Sequence, residues 1–352
     1  VAAAKIGISV LSWAHGHVNA YCHKIRGFED ARLVSCWDDN AARGETNAAS
    51  FSIPFRAHLE DVLHDPEVDC VIIASETNKH ADLAVAAIEA GKDVLLQKPM
   101  ALSLAECDRI LAALERNPVW FSLAYQMRCD PQNQHMRRLV HDGAIGRVGI
   151  ARRRHCIGVL FSKEFVEGPS RWHVSREANR GMWADDAAHP CDWLLWMFGK
   201  PVSVIAEIDN VLTNVAPDDC GFAVFRYADG MMAEVHNASI THVGENTTEL
   251  YGDQGVIIQN HGDGPSCAIK PPHPIGVKLY DARRPDLGWQ DQGLPIPDGH
   301  GERIAGVARP FIDALRSGVP MCTAQEGRDV VEMVLACYDS AESGRRVALS
   351  AP

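Results

Sequence analysis

The stretch Asp93-Val-Leu-Leu-Gln-Lys-Pro99 decides the reading of the fold. A short apolar run ends in Lys98, and Pro99 stops the strand directly after it. The Ala-rich segment Ala81–Ala90 comes just before as a helix, closed by Gly91. Helix, short buried strand and polar edge form the repeating unit of a parallel α/β sheet. Such sheets bind ligands in the crevice outside the carboxyl ends of their strands. An ammonium at that edge is placed to act on a substrate oxygen. The same residues also suit an ordinary Lys-Pro surface turn.

Working outward, the first 125 residues alternate strand and helix. Lys5–Val10, Ala31–Trp37, Asp69–Ala74, Asp93–Leu96 and Trp120–Ala124 read as strands. Gly16–Ile25, Ala41–Ser50, Leu59–His64, Lys79–Ala90 and Leu104–Arg116 read as helices, the last opened by a Ser103/Glu106 capping box. Near-continuous apolar strands between amphipathic helices predict a doubly wound parallel sheet covered on both faces.

After Tyr125 the texture changes. Pro131–Asp142 and Cys191–Phe198 are helical. Arg147–Val159, Val202–Ile208, Gly221–Tyr227, Met231–Ile240, Thr247–Tyr251 and Gly255–Gln259 are strand candidates, with a hairpin turn at Asp229-Gly230. Phe161–Gly181 reads as irregular and Gly262–Gly301 as surface loops, before closing helices at Arg303–Ser317 and Gln325–Ser343. Strands without intervening helices predict a mainly antiparallel sheet in an α+β domain. The expected division is therefore 1–125 and 126–352, an α/β protein of two domains.

The 352 residues suffice for two full cores. A net charge of −12 argues against nucleic acid or an anionic membrane as the main partner. No apolar run is long enough to span a bilayer, and the N-terminus enters a strand with no room for a signal peptide. The eleven cysteines are scattered and form no Cys-x-x-Cys; the sixteen histidines form no His-Glu-x-x-His. They predict buried thiols in a reducing cytoplasm and no metal site.

The first turn reads Val10-Leu-Ser12-Trp13-Ala14-His15-Gly16-His17 and lacks the Gly-x-Gly-x-x-Gly of a dinucleotide site. Amides at the start of the next helix can still hold a pyrophosphate, and Ser12 adds a hydroxyl; a domain that binds no nucleotide fits equally well. Asp38 ends the next strand, where a carboxylate takes the ribose hydroxyls and repels a 2′-phosphate. That favours NAD over NADP, although Asp38 could instead cap a helix. Ser75, Glu76, Asn78 and His80 lie at the carboxyl edge after Asp69–Ala74, where they flank a nicotinamide or cap a helix. A second cluster, Gly181-Met-Trp-Ala-Asp185-Asp-Ala-Ala-His189-Pro-Cys-Asp192, sets Asp185 and His189 at a helical spacing. A histidine beside carboxylates suits acid/base work; an Asp-rich helix start suits the helix dipole.

Together these segments resemble the glucose–fructose oxidoreductase/inositol dehydrogenase family (Gfo/Idh/MocA). Val68–Ala74 through His80 to Gly91–Pro99 is similar to that family's strand, Asn-x-x-His loop and Glu-Lys-Pro signature. Gly181–Asp192 is similar to its Gly-Gly…Asp-x-Gly-x-His-x-x-Asp, and Ser340–Arg345 to its last helix. The resemblance implies a Rossmann domain followed by a domain with a large open sheet that mediates homodimers or homotetramers. It implies NAD(P)-dependent oxidation or reduction of a sugar, sugar derivative or cyclitol.

Carried over by position, Lys98 is the active-site lysine, His189 the acid/base and Asp185 the substrate-binding carboxylate. Ser12, Trp13, Ala14, His15, Gly16, Asp38, Ser75, Glu76, Asn78, His80, Gln97 and Lys98 are the candidates for the cofactor. Tyr125, Gln126, Arg128, Trp172 and His173 join Asp185 and His189 as candidates for the substrate. Arg152 and Arg154 share one strand face, which either grips an acidic sugar or forms a solvated or subunit-facing stripe. Three departures stand out: Gln97 for the signature's Glu, Ala187 for a glycine, and the glycine-poor phosphate turn. Two other functions fit the same fold, namely an NAD-dependent glycosidase working by transient oxidation and a non-catalytic sugar or nucleotide sensor.

Overall fold

The computed structural model of this chain describes residues 5–243, 247–260, 273–297 and 300–351. It divides into two compact units, residues 1–126 with 303–331 and residues 127–302 with 332–352.

The first unit is a five-stranded parallel sheet. Its elements are β1 (Ile6–Leu11), α1 (His17–Ile25), β2 (Ala31–Trp37), α2 (Ala41–Phe51), α3 (Leu59–Leu63), β3 (Cys70–Ile73), α4 (His80–Glu89), β4 (Asp93–Leu96), α5 (Leu104–Arg116) and β5 (Phe121–Leu123). The spatial order is β2-β1-β3-β4-β5. Every residue of β3 is fully buried, as the unbroken Cys-Val-Ile-Ile run requires of a strand covered on both faces. Ser103 accepts the Glu106 amide at 3.3 Å, and the Glu106 carboxylate reaches back to the Leu102 amide at 3.1 Å, closing the expected cap one residue early.

Residues 303–331 belong to this unit, which corrects the expectation of one continuous domain over 126–352. The helix Ala308–Ser317 packs on α1. Arg309 and Arg316 both pair with Asp30, and the Leu123 amide donates to the Cys322 carbonyl at 3.0 Å.

The second unit holds α6 (Gln126–Cys129, its first residue counted with the first unit), α7 (Pro131–His141), β6 (Val148–Cys156), α8 (Lys163–Glu167), α9 (Arg176–Asn179), α10 (Met182–Asp186) and α11 (Ala188–Phe198). Then come β7 (Ser203–Asp209), β8 (Cys220–Arg226), β9 (Met232–Ala238), β10 (Thr247–Gly252), β11 (Gly255–Asn260), β12 (Ile275–Asp281) and β13 (Trp289–Asp291). With β14 (Val347–Ala348) they form one nine-stranded sheet, ordered β13-β12-β11-β10-β6-β9-β8-β7-β14. Within this sheet only the β6–β9 pair is parallel among the described strands. One face carries buried residues such as Ala151, Ala233, Val235, Ala223 and Phe225, and α11 packs there against β6 and β9.

Two segments hold more structure than their sequences suggest. Phe161–Gly181 contains α8, α9 and a 3-10 turn at Arg171–Val174. The Gly262–Gly301 stretch contains β12 and β13 rather than loops alone; its residues 262–272 and 298–299 lie outside the described residues.

Gly44 sits where α2 meets the end of β2. A Cβ there would lie 2.4 Å from the Phe55 ring and 2.9 Å from the Asp38 Cβ. Overpacking a well-filled contact costs about 1–3 kcal/mol. Gly44→Ala is therefore expected to lower the unfolding free energy by that amount, read as a reduced urea midpoint at unchanged slope.

Candidate functional site

In the first unit the candidate residues gather at the carboxyl ends of β1 to β4, where the apolar strands stop and polar groups begin. The β1–α1 turn has only one glycine, so Ser12 takes the left-handed conformation itself, at φ 69°. Three bonds hold it there. The Ser12 amide donates to the Trp37 carbonyl at 2.7 Å, Arg43 Nη2 donates to its hydroxyl at 3.1 Å, and that hydroxyl accepts the Ala14 amide at 3.3 Å. Trp13 stacks on Phe51 at 5.1 Å, and the His15 amide anchors to the Ala74 carbonyl at 2.8 Å. Gly16 caps α1, and a Cβ added to it would meet nothing within 4 Å.

Asp38 is placed differently from the expectation. Its side chain is completely covered and bound by Arg43, a residue that spacing alone did not single out. Asn40, not Asp38, caps α2. Beyond β3, Glu76 joins Arg43 and Lys79, Asn78 is exposed, and the Ser75 hydroxyl donates to the Glu76 carbonyl. His80 is fully buried, with Nδ1 2.8 Å from the Pro99 carbonyl and Nε2 3.3 Å from that of Ser75. Its ring thus ties the β3 loop to the turn carrying Lys98, whose side chain is also buried. Gln97 points inward, its amide donating to the Tyr21 hydroxyl at 2.9 Å.

Tyr125 and Gln126 close the unit's first segment, both buried. Neither the nitrogen nor the oxygen of the Gln126 amide has a partner among the described residues. A buried, unbonded amide costs free energy unless a ligand or water meets it. That orphan amide, the open approach to Gly16 and the edge of a parallel sheet are the features a dinucleotide fits.

In the second unit α10 and α11 carry the other cluster. Gly181 is required by close approach: a Cβ would fall 1.9 Å from Asp218 Oδ2. Asp218 accepts the Trp183 amide at 2.6 Å and the Tyr338 hydroxyl at 2.8 Å, which fixes the start of α10. Just before it, the Gly181 amide bonds the Asn179 carbonyl across Arg180, at φ 68° and ψ −53°. This is the rare γ-turn, a strained conformation for a non-glycine residue. Ala187 has φ −70° and ψ −14°, ordinary helical values, so the path from α10 into α11 is unbroken. Asp185 and His189 therefore share one helical face, as expected.

Two further histidines surround them. His173 Nε2 lies 3.8 Å from Asp185 Oδ2, while its Nδ1 is 2.8 Å from the Ser170 carbonyl, an acceptor that fixes the hydrogen on Nδ1. The ring stacks on Trp172 at 3.6 Å, and Phe165 lies tilted against it at 5.0 Å. His155, which the sequence reading missed, projects from β6 with its ring 5.3 Å from that of His189. Arg128 is committed to Asp192, a buried pair with Nη2–Oδ1 at 2.7 Å and Nε–Oδ1 at 3.0 Å. Arg152 pairs with Glu234 and Glu249 across the sheet, the solvated-stripe alternative. Among the described residues no group of three or more metal-type ligands occurs, the ten cysteines are free, and no helix is long and apolar enough to cross a membrane.

Two family models match the chain. Residues 4–125 match the "Oxidoreductase family, NAD-binding Rossmann fold" model of Gfo/Idh/MocA, and residues 133–258 match the "GFO/IDH/MocA C-terminal domain". A 1,5-anhydro-D-fructose reductase of Ensifer adhaerens is 26% identical over 348 residues, covering 97% of this chain and 96% of that protein. An uncharacterized oxidoreductase of Synechocystis sp. is 25% identical over 244 residues, 65% of each chain. A solved levoglucosan dehydrogenase, in complex with NADH and levoglucosan, superposes with a TM-score of 0.82 at 21% identity, covering 99% of this chain and 100% of that one.

Burial dominates the titration of His80 and, helped by the nearby Lys98 charge, pushes it down to about 4 against the opposing pull of its two carbonyl partners. The ring is neutral at pH 7 in the folded chain. Once unfolded it takes up a proton near pH 6.5, so stability falls as pH drops below about 6.5 and this loss ends near pH 4. His80→Gln is expected to shrink the loss of unfolding free energy between pH 7 and 4.5 by about 2 kcal/mol, measured by urea titration. An unchanged pH slope would refute the assignment.

Proposed function

The chain belongs to the Gfo/Idh/MocA family of NAD-binding oxidoreductases, and on that premise we propose that it oxidises or reduces a secondary alcohol of a sugar, sugar derivative or cyclitol. Its similarity to a 1,5-anhydro-D-fructose reductase supports a carbohydrate-type substrate. The observation that carries the proposal is the grouping in the second unit. Asp185 and His189 lie one helical turn apart, with His173 against the carboxylate and His155 against the imidazole. That set can bind a polyol and move a proton within one small volume.

Nicotinamide, when bound, supplies the hydride chemistry. Ser12 and the start of α1 would hold its pyrophosphate, and the orphan amide of Gln126 would meet a polar group of ligand. His189 takes the hydroxyl proton as the carbon is oxidised and returns it in the reverse direction. Lys98 stabilises the alkoxide that develops. Asp185 accepts a neighbouring hydroxyl and fixes the ring. Trp172 adds an apolar face suited to a sugar ring.

The outward face of the large sheet supports a homodimer or homotetramer. Ile150, Ile205, Phe222, Met232, Tyr251 and Trp289 are 38–50% exposed and lie on one side, as their cross-strand pairings require. An apolar surface of this kind marks an association site.

Screening sugars, uronates and cyclitols with NAD, followed by nicotinamide absorbance, should find a substrate that accumulates NADH; aglycone release without net NADH would instead indicate the glycosidase. His189→Ala and Lys98→Met should each lower kcat by about 100-fold or more while NAD still binds. Full activity in the double variant would refute the assignment. Replacing both Ile150 and Phe222 by Asp should yield a monomer by light scattering.

A further inference from the structure

Position assigns Asp38 to the ribose of the cofactor, yet its hydrogen-bonding capacity is already filled. Oδ2 accepts the Trp13 amide at 2.8 Å and Arg43 Nε at 2.8 Å. Oδ1 accepts the Asn40 amide at 2.8 Å and Arg43 Nη2 at 2.8 Å. An ionised carboxylate offers about four acceptor positions, and all are taken. The side chain is 0% exposed, and Gly44 is packed against its Cβ. Asp38 therefore cannot turn toward a ribose diol without releasing both the phosphate turn and a bidentate arginine.

A different set of charges faces outward at this rim. Arg43 is 19% exposed, Lys79 37%, Asp39 35% and Glu76 14%. They form a closed ring of alternating sign. Arg43 reaches Asp39 at 3.1 Å and Glu76 at 3.3 Å; Lys79 pairs with Glu76 at 2.8 Å and with Asp39. Burial raises both outer carboxyls, but the two cations outweigh it and hold Asp39 and Glu76 below the ordinary carboxylate range. Both are ionised at neutral pH.

We propose that Asp39 and Glu76, not Asp38, set the preference for NAD over NADP, by occupying Arg43 and Lys79, the two cations that a 2′-phosphate would need. The proposal rests on the NAD-dependent reading given above. A 2′-phosphate is a dianion near neutrality and seeks bidentate arginine and a lysine point charge. To gain them here it must displace two carboxylates that then face it at close range. Removing the Asp39 charge releases one contact on each cation and opens the ring. Removing the Asp38 charge does something else: an amide in its place turns an NH2 toward two of the four donors, loosens the Ser12 turn and weakens the pyrophosphate site common to both cofactors.

The test is calorimetric binding of NAD, NADP and adenosine 2′,5′-bisphosphate to the full chain, which needs no substrate. Asp39→Ser should shift the NADP-to-NAD affinity ratio toward NADP by about tenfold or more, with Glu76→Gln shifting it the same way. Adenosine 2′,5′-bisphosphate should gain in parallel with NADP. Asp38→Asn should weaken both dinucleotides alike and leave the ratio in place. A selective NADP gain in Asp38→Asn with none in Asp39→Ser would overturn the proposal, as would equal binding of both cofactors by the unaltered chain. If NAD binds and the ratio is unmoved by Asp39→Ser, only this inference fails. If the unaltered chain binds neither dinucleotide, the cofactor reading falls with it.

Discussion

In each unit a buried carboxylate pins the segment on which the proposed function depends. Asp38 holds the β1–α1 turn through the Trp13 amide and Arg43, and Asp218 holds the start of α10 through the Trp183 amide and Tyr338. Both carboxylates are nearly inaccessible to solvent. A charge in that position is expensive to desolvate, and it is tolerated because strong donors surround it. Burial raises the Asp218 carboxyl even against its two donors, which shows how far its environment is from water. In return each carboxylate fixes backbone that short loops would otherwise leave free. Removing one partner of such a pair is strongly destabilising, so the constraint acts through stability as well as geometry.

Two of the three non-glycine residues with positive φ among the described residues lie beside these anchors. Ser12 has φ 69° and Arg180 φ 68°, both values where glycine is the usual choice. Ser12 is compensated by Arg43, which bonds its hydroxyl while clasping Asp38. Arg180 lies over the ring of Tyr338 at 5.0 Å, the same tyrosine that donates to Asp218 and accepts the Ala184 amide. Strain of this kind persists only where surrounding contacts over-determine the backbone.

Much of this was legible in the sequence, and the gaps have physical causes. Runs such as Cys70–Ile73 give parallel strands because only burial on both faces suits them. The Asp185–His189 spacing was readable because helical geometry is local. Arg43 was not, because its role depends on α2 folding back over β2, a tertiary fact. The helix Ala308–Ser317 shows a clear apolar stripe, but no periodicity says which core that stripe covers. Strands β12 and β13 lie at the sheet edge, where half-exposed residues blur the alternation that marks a strand. His155 could have been found. Once Arg152 and Arg154 are placed on the outward face, the pleat puts Arg153 and His155 on the other, the face on which α11 packs.

The departures from the family signature have local explanations in the same terms. A glycine at 187 is unnecessary because the backbone there is ordinary right-handed helix, which alanine favours over glycine by about 1 kcal/mol. Gln97 is fully buried and donates to Tyr21, a bond that an ionised carboxylate could not make as donor. A glutamate there would place a desolvated charge beside the buried Lys98; the amide keeps the polar contact without it. The glycine-poor turn exchanges backbone freedom for side-chain bonds, with Ser12 held by the arginine that also screens Asp38. The serine hydroxyl, the Arg43 guanidinium and the Asp38 carboxylate thus act as one unit. A change at Ser12 or Asp38 therefore acts first on the backbone of the β1–α1 turn.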